Sequence, residues 1–321
     1  MNSLFTILTS TLPFKPNQIQ QTLNMLNEGA TIPFISRYRK ESTGGLDEVE
    51  IEQIQLENKR LTELQKRKEA ILEAIEKQGV LTAELRKNIN ETWDGNALED
   101  IYLPFKQKRK TRAIKAKELG LEPLAGILMK QNHGDADDIA ARFVKDDVDT
   151  VEDALAGARD IIAEWINESA VARQRLRNLF AHEAFFESKV VKSKIAEADN
   201  YRDYFEFSEP LKYAKSHRTL AILRGENEGF LRVSISPPAD KAIERLERIF
   251  IKAKNESADQ VFLAMEDAWK RLLQPSLETE FKNAAKEKAD DEAIKVFAEN
   301  LRQLLLQPPL GAKRALALDP G

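Results

Sequence analysis

Between Asp47 and Gln78 the chain runs without glycine or proline, and apolar residues return at helical spacing: Ile51, Ile54, Leu61, Leu64, Leu72 and Ile75. That period over that length specifies one long amphipathic helix. Asn58, Gln65 and Lys68 interrupt the stripe, which suits a helix packed on its own domain better than a free dimeric coiled coil. The rest of the chain is written the same way, with 13 glycines and 12 prolines in 321 residues placed between periodic segments. This punctuation predicts a mainly α fold, an elongated array of many helices of which two are long. The second long helix is expected from Pro275 to Gln307, with Leu277, Phe281, Ala284, Ile294, Phe297, Leu301 and Leu304 on its apolar side. Unbroken, it would extend ~45 Å at 1.5 Å per residue, with a bend expected at Asp290-Asp291.

Shorter helices are expected over 17–28, 83–90 and 96–103, the last after an Asp94 cap. Others follow Pro123 and the GDADD turn at 134–138, and one is capped by Thr150 and Asp153. The next runs from Val171 to Glu187, and Ser216 caps a short one through Leu223. Ser257 and Gln260 read as a capping box for a helix carrying Val261, Phe262, Met265, Trp269 and Leu272. Only Phe230 to Ile235 alternates as a strand, stopped by Pro237-Pro238; an orphan strand is expected from Arg314 to Leu318. These divisions predict a helical domain over 1–190, a central helical region over 191–307, and a separate closing segment over 308–321.

With no cysteine, disulfides, thiolate catalysis and Cys-ligated metal sites are excluded. His133, His182 and His217 lack the paired spacing of a zinc helix, and glycine-rich phosphate loops are absent, so no metal, cofactor or catalytic residue is expected. The N-terminus lacks a signal-peptide pattern and no apolar run reaches membrane-spanning length, which predicts a cytoplasmic protein. A formal net charge of −4 means that any nucleic-acid site must be local.

Cations do cluster locally. Lys106, Lys108, Arg109, Lys110, Arg112, Lys115 and Lys117 form a run without an acid, and each can neutralise a phosphate. Gln107 and Thr111 can hydrogen-bond phosphate oxygens. The competing reading is a solvated loop paired with nearby acidic helices. Tyr102 and Phe105 flank the run as base-stacking or core residues. Upstream, GATIPFISRYRKESTGGL (29–46) reads as a short helix capped by Thr31. Ile32, Phe34, Ile35 and Tyr38 form its apolar side, Arg37, Arg39 and Lys40 its last turn, and Gly44-Gly45 its end. A further cluster, Lys212, Lys215, His217, Arg218 and Arg224, beside a helix start at Ser216, is an alternative phosphate site. Arg173, Arg175 and Arg177 alternate by two and are expected to be solvated.

Three of these segments, in order, resemble the signature blocks of the Tex family of bacterial transcription accessory proteins: residues 29–46, Tyr102 to Phe105 running into KQKRKTRAIKAKELGLEPLA, and ALALDPG at 315–321. The resemblance implies a nucleic-acid-binding, non-enzymatic helical region that supports engagement of RNA or DNA by a larger protein. It also implies contact with RNA polymerase or other transcription proteins as an alternative role. The closing block resembles the first strand of an RNase H-like domain, which implies that 308–321 starts another domain and would place Asp319 at a metal-binding carboxylate position. One carboxylate cannot assemble a two-metal site, so Asp319 is expected to be inert in this chain.

Overall fold

A computed structural model describes residues 4–321, apart from 107–109, 133, 146, 310, 315 and 318–321. Among the described residues the chain is mainly α, with sixteen α-helices and one sheet of three strands. It forms two compact units, residues 1–109 and 110–321.

The first unit contains α1 (Leu4–Thr11), α2 (Pro16–Asn27), α3 (Ile32–Tyr38), α4 (Lys40–Thr43), α5 (Glu48–Lys77), α6 (Ala83–Glu91) and α7 (Gly95–Tyr102). The expected long helix is α5, and it opens on a reciprocal cap. The Glu50 N–H donates to Asp47 Oδ1 and the Asp47 N–H to Glu50 Oε2, both at 2.8 Å. Its leading half buries Ile51, Ile54 and Leu61 against Leu8, Ile19 and Ile35. Its trailing half buries Leu64, Ile71 and Ile75 against Ile89 and Leu98. Each fully buried aliphatic side chain contributes about 1.5–3 kcal/mol. Lys68, expected only to interrupt the stripe, is itself buried. Its ammonium donates to the Asn90 carbonyl at 2.8 Å and stands 3.4 Å from the Trp93 ring centre. Tyr102 and Phe105, both partly buried, pack against this second cluster.

The second unit contains α8 (Arg112–Glu118), α9 (Glu122–Lys130), α10 (Ala136–Ala141), α11 (Val151–Glu168), α12 (Ala170–Glu183), β1 (Phe185–Val190), β2 (Glu206–Pro210), α13 (Ser216–Asn227), β3 (Leu231–Ser236), α14 (Ala239–Phe250), α15 (Glu256–Ala268) and α16 (Gln274–Leu305). The central helix is α11, and α8, α9, α10 and α15 pack around it. Gly157 lets this happen, because a Cβ there would lie 2.4 Å from Leu121 Cδ1. A π-helical turn over Trp269–Leu273 joins α15 to α16. Phe180 stacks on Phe281 (5.1 Å between centres) and meets Trp269 (6.2 Å) in the core.

Several expectations are corrected here. The helix expected through Glu187 ends at Glu183, and Phe185–Val190 is the central strand of a sheet ordered β2-β1-β3, antiparallel throughout. Phe186 lies opposite Glu209 and Ile235. Alternation decides it, since Phe186 and Ser188 are buried while Phe185 and Lys189 are exposed. The strand expected near 230–235 is β3. The start of α15 is capped by Asn255, which accepts from the Ala258 N–H at 2.9 Å; Ser257 is buried inside the helix. At Asp290-Asp291, where a bend was expected, α16 continues as helix without a break in its assignment. Of the orphan strand expected over 314–318, Ala315 and Leu318 lie outside the described residues, and Arg314, Leu316 and Ala317 form no strand. Asp319 also lies outside them.

Candidate nucleic-acid interface

The basic run is not a single loop. Lys106 follows the turn Leu103–Phe105 at the end of the first unit; Gln107, Lys108 and Arg109 lie outside the described residues; and Lys110 opens the second unit. The remaining cations belong to α8. Thr111 caps that helix, accepting from the Ile114 N–H at 3.1 Å and donating to Glu164 Oε1 at 3.3 Å. Its hydroxyl is therefore engaged within the fold and is not turned to a phosphate. Ala113 and Ala116 are buried toward α11, which leaves Arg112 and Lys115 exposed on the outer face of α8. Lys117 is half-buried and paired with Glu122 at 3.0 Å. Among the described residues Lys110, Arg112 and Lys115 form no ion pair. Burial pushes the Asp160 carboxyl of α11 above the usual carboxylate range, an effect opposed by Arg271 at 3.2 Å and by the charge of Arg112.

The upstream block is two short helices. Thr31 stands at the start of α3 without a side-chain capping bond, and α3 ends at Tyr38 because Arg39 leaves helical geometry. Lys40 then opens α4, which ends at Gly44 in the left-handed conformation (φ 68°) that favours glycine. So only Arg37 lies in the last turn of α3, and the expected trio of C-terminal cations is divided by a kink. The expected apolar side is divided too. Ile35 is buried, whereas Phe34 is 40% and Tyr38 70% exposed. Their ring centres are 5.4 Å apart, and the Arg39 guanidinium lies over Phe34 at 5.5 Å. Arg37 approaches Glu48 at 3.7 Å, with both side chains largely in solvent.

The cluster at 212–224 is divided by its partners. Lys215 holds the cap position of α13 without a side-chain bond, and the Ser216 hydroxyl donates to Glu292. Arg218 is paired with Glu209 at 2.7 Å and lies over Phe207. Lys215, His217 and Arg224 instead line a groove of about 790 Å³ between α13 and α16, floored by Leu220, Val296 and Phe297. The arginines expected to be solvated divide as well: Arg175 is exposed, but Arg173 is buried and donates to Ser276 Oγ at 3.0 Å. Arg177 makes two bonds to Glu280, at 2.7 and 3.1 Å. Both tie α12 to α16, a role visible only once those helices are adjacent.

Among the described residues, no group of three or more His, Asp or Glu side chains is placed to hold a metal ion. No described helix is long and apolar enough to cross a membrane.

The model of the Tex-like protein N-terminal domain matches residues 2–76, and that of the Tex central region-like domain matches residues 131–297, more than half of the chain. The chain belongs to the Tex family. Transcriptional accessory protein Tex of Neisseria gonorrhoeae is 40% identical over 98% of this chain and 42% of its own length. Protein YhgF of Escherichia coli is 39% identical over 100% of this chain and 43% of its own length. S1 RNA-binding domain-containing protein 1 of Homo sapiens is 29% identical over 98% of this chain and 33% of its own length. The chain thus spans less than half the length of these relatives. Within it, α3 and α4 fall inside the Tex N-terminal match, and the run 106–117 falls between the two matched regions.

Proposed function

We propose that this chain is a helical, non-catalytic region of a cytoplasmic transcription accessory factor that engages the phosphate backbone of RNA or DNA. The observation that carries this is the outer face of α8. Arg112 and Lys115, one helical turn apart with Lys110 just ahead, are exposed and form no ion pair among the described residues, although the charge of Arg112 is felt by Asp160. Cations free of internal partners can release counterions from a phosphate backbone, which gives sequence-independent and salt-sensitive affinity. Lys106, Lys108 and Arg109 extend the charge along the sequence. The relatives support the setting, one being named a transcriptional accessory protein and another for an S1 RNA-binding domain. Because that domain's name belongs to a protein of which this chain matches a third, binding by this chain alone is expected to be weak.

The test is fluorescence anisotropy with labelled single-stranded RNA at low and moderate salt. Replacement of Lys110, Arg112 and Lys115 by Ala is expected to weaken binding at low salt by at least about tenfold. Unchanged affinity would remove α8 from the interface.

A second reading has its own observation. Along the last turns of α16, Ile294, Phe297, Leu301 and Leu304 recur at spacings of three and four and are all exposed, Phe297 by 67%. Such a stripe is a protein-docking face, and it favours a scaffold that contacts other transcription proteins. Capture of polymerase from nuclease-treated lysate, lost on Phe297→Asp, is the result this reading predicts.

A further inference from the structure

We infer that the groove between α13 and α16 takes an acidic amphipathic helix of a partner protein. This rests on the reading of α16 as a protein-docking face and names the chemistry of what docks there. From Ile294 to Leu305 every residue of α16 is exposed, so its closing turns stand clear of the core. Along them Ile294, Phe297, Leu301 and Leu304 form a stripe about 15 Å long at 1.5 Å per residue. Phe297 and Val296 also floor the groove, together with Leu220 of α13, so stripe and groove meet at Phe297. A small molecule would fill the groove and leave Leu301 and Leu304 uncovered. A helix laid along α16 covers them all, with apolar anchors at the same spacings of three and four.

Charge selects the occupant. Lys215 and Arg224 line the groove, and Lys212 and Lys288 line a smaller cleft of about 210 Å³ that shares Ala214 and Ser216 with it. All four are exposed, and Lys215, Arg224 and Lys288 form no ion pair among the described residues. The first turn of α13 lies at the same rim, where the helix dipole adds to the charge of Lys215. Among the described residues that line the two clefts, Glu292 is the one carboxylate, and it accepts from the Ser216 hydroxyl. A basic helix is repelled by this rim, and a neutral one gains only the floor. A nucleic acid would use the cations and leave the apolar floor bare. A helix with acids flanking an apolar face uses both.

The experiment is a display selection on the immobilised chain, using helical peptides of about fifteen residues. Their apolar face is fixed as leucine at spacings of three and four, and their flanking positions are drawn equally from Glu, Gln and Lys. Glu is expected to be enriched over Lys at the flanks by at least about tenfold. The enriched peptide, labelled, then reports affinity by anisotropy. Phe297→Asp is expected to weaken it by at least about tenfold, and Lys215→Glu with Arg224→Glu by a similar factor. Replacement of Lys110, Arg112 and Lys115 by Ala, or addition of poly-uridine, is expected to leave it unchanged. Since Lys215, Arg224 and Phe297 are exposed, none of these substitutions touches the core. Enrichment of Gln or Lys that is lost on Phe297→Asp keeps the docking face and overturns the acidic partner. No enrichment, or enrichment that survives Phe297→Asp, overturns both. Displacement of the peptide by poly-uridine gives these cations to phosphates and overturns the proposal. A dimer of the chain alone in sedimentation, abolished by Phe297→Asp, overturns it too, because a second copy then covers the face.

Discussion

Two buried polar residues show how single side chains hold this fold. Gln131 adopts the left-handed conformation (φ 56°) and is buried. Its Nε2 donates to the Phe250 carbonyl at 2.7 Å, and its Oε1 accepts from the N–H groups of Lys252 (2.7 Å) and Ala253 (3.2 Å). One amide therefore satisfies three backbone groups where the chain leaves α14. Gln131→Ala would leave the buried Phe250 carbonyl unpaired and free the partly buried N–H groups of Lys252 and Ala253, and the expected loss of about 1–3 kcal/mol is measurable by urea denaturation. Lys68 makes a different prediction. Burial lowers its pKa from 10.5 to about 8, so between those values the unfolded chain binds the proton more than the folded protein does. Its contribution to stability therefore rises with pH from about 8 to 10.5 and is flat below that window. Unfolding free energies of wild type and Lys68→Met across this range are expected to diverge with that sign; parallel curves would contradict it. Neither role was legible in the sequence, because a glutamine or lysine acquires partners only when distant segments meet.

At the scale of elements, α16 behaves as two different helices. Its first turns bury Leu277 and carry Glu280 and Phe281 against α12, whereas Leu304 and Leu305 are 62% and 73% exposed. Of the apolar positions expected on one side, Leu277 is buried and Phe281 packs on the core, whereas Ala284, Ile294, Phe297, Leu301 and Leu304 are exposed and Ala289, not among them, is buried; periodicity cannot say where packing stops. Leu277→Ala is expected to cost about 2–5 kcal/mol, while Leu304→Ala should stay within about 0.5 kcal/mol of wild type. Thermal melts of the two variants check this contrast; equal losses would mean that the distal turns are packed. Capping chemistry made α5, α7 and α11 readable in advance, since Asp47, Asp94 and Thr150 each accept the expected backbone bond. The sheet was less readable. The β1 segment follows a helix directly, so its alternation reads as the helix's last turns until β2 and β3 flank it. Helix α14 went unread although Ala242, Leu246 and Phe250, spaced by four, are its buried face.

Over the whole molecule, the mainly α class followed from where glycine and proline fall, and the cores respect the two units. Two clusters lie within residues 1–109 and the largest lies wholly within 110–321. The proposed surface was legible as charge but not as geometry. The run 106–117 stood out in the sequence, yet only the structure separates Lys117, spent on Glu122, from Arg112 and Lys115, which remain available. The exposure of the aromatic pair beside Arg39 was hidden because an exposed ring and a buried one follow the same sequence pattern. The central claim is that exposed cations of this chain neutralise phosphates, and it is tested most directly by the salt dependence of binding. With single-stranded RNA, the slope of log Kd against log salt should fall by about 0.7 for each phosphate-neutralising cation removed, roughly 2 for Ala at Lys110, Arg112 and Lys115 together. A slope unchanged by that triple substitution would contradict the account.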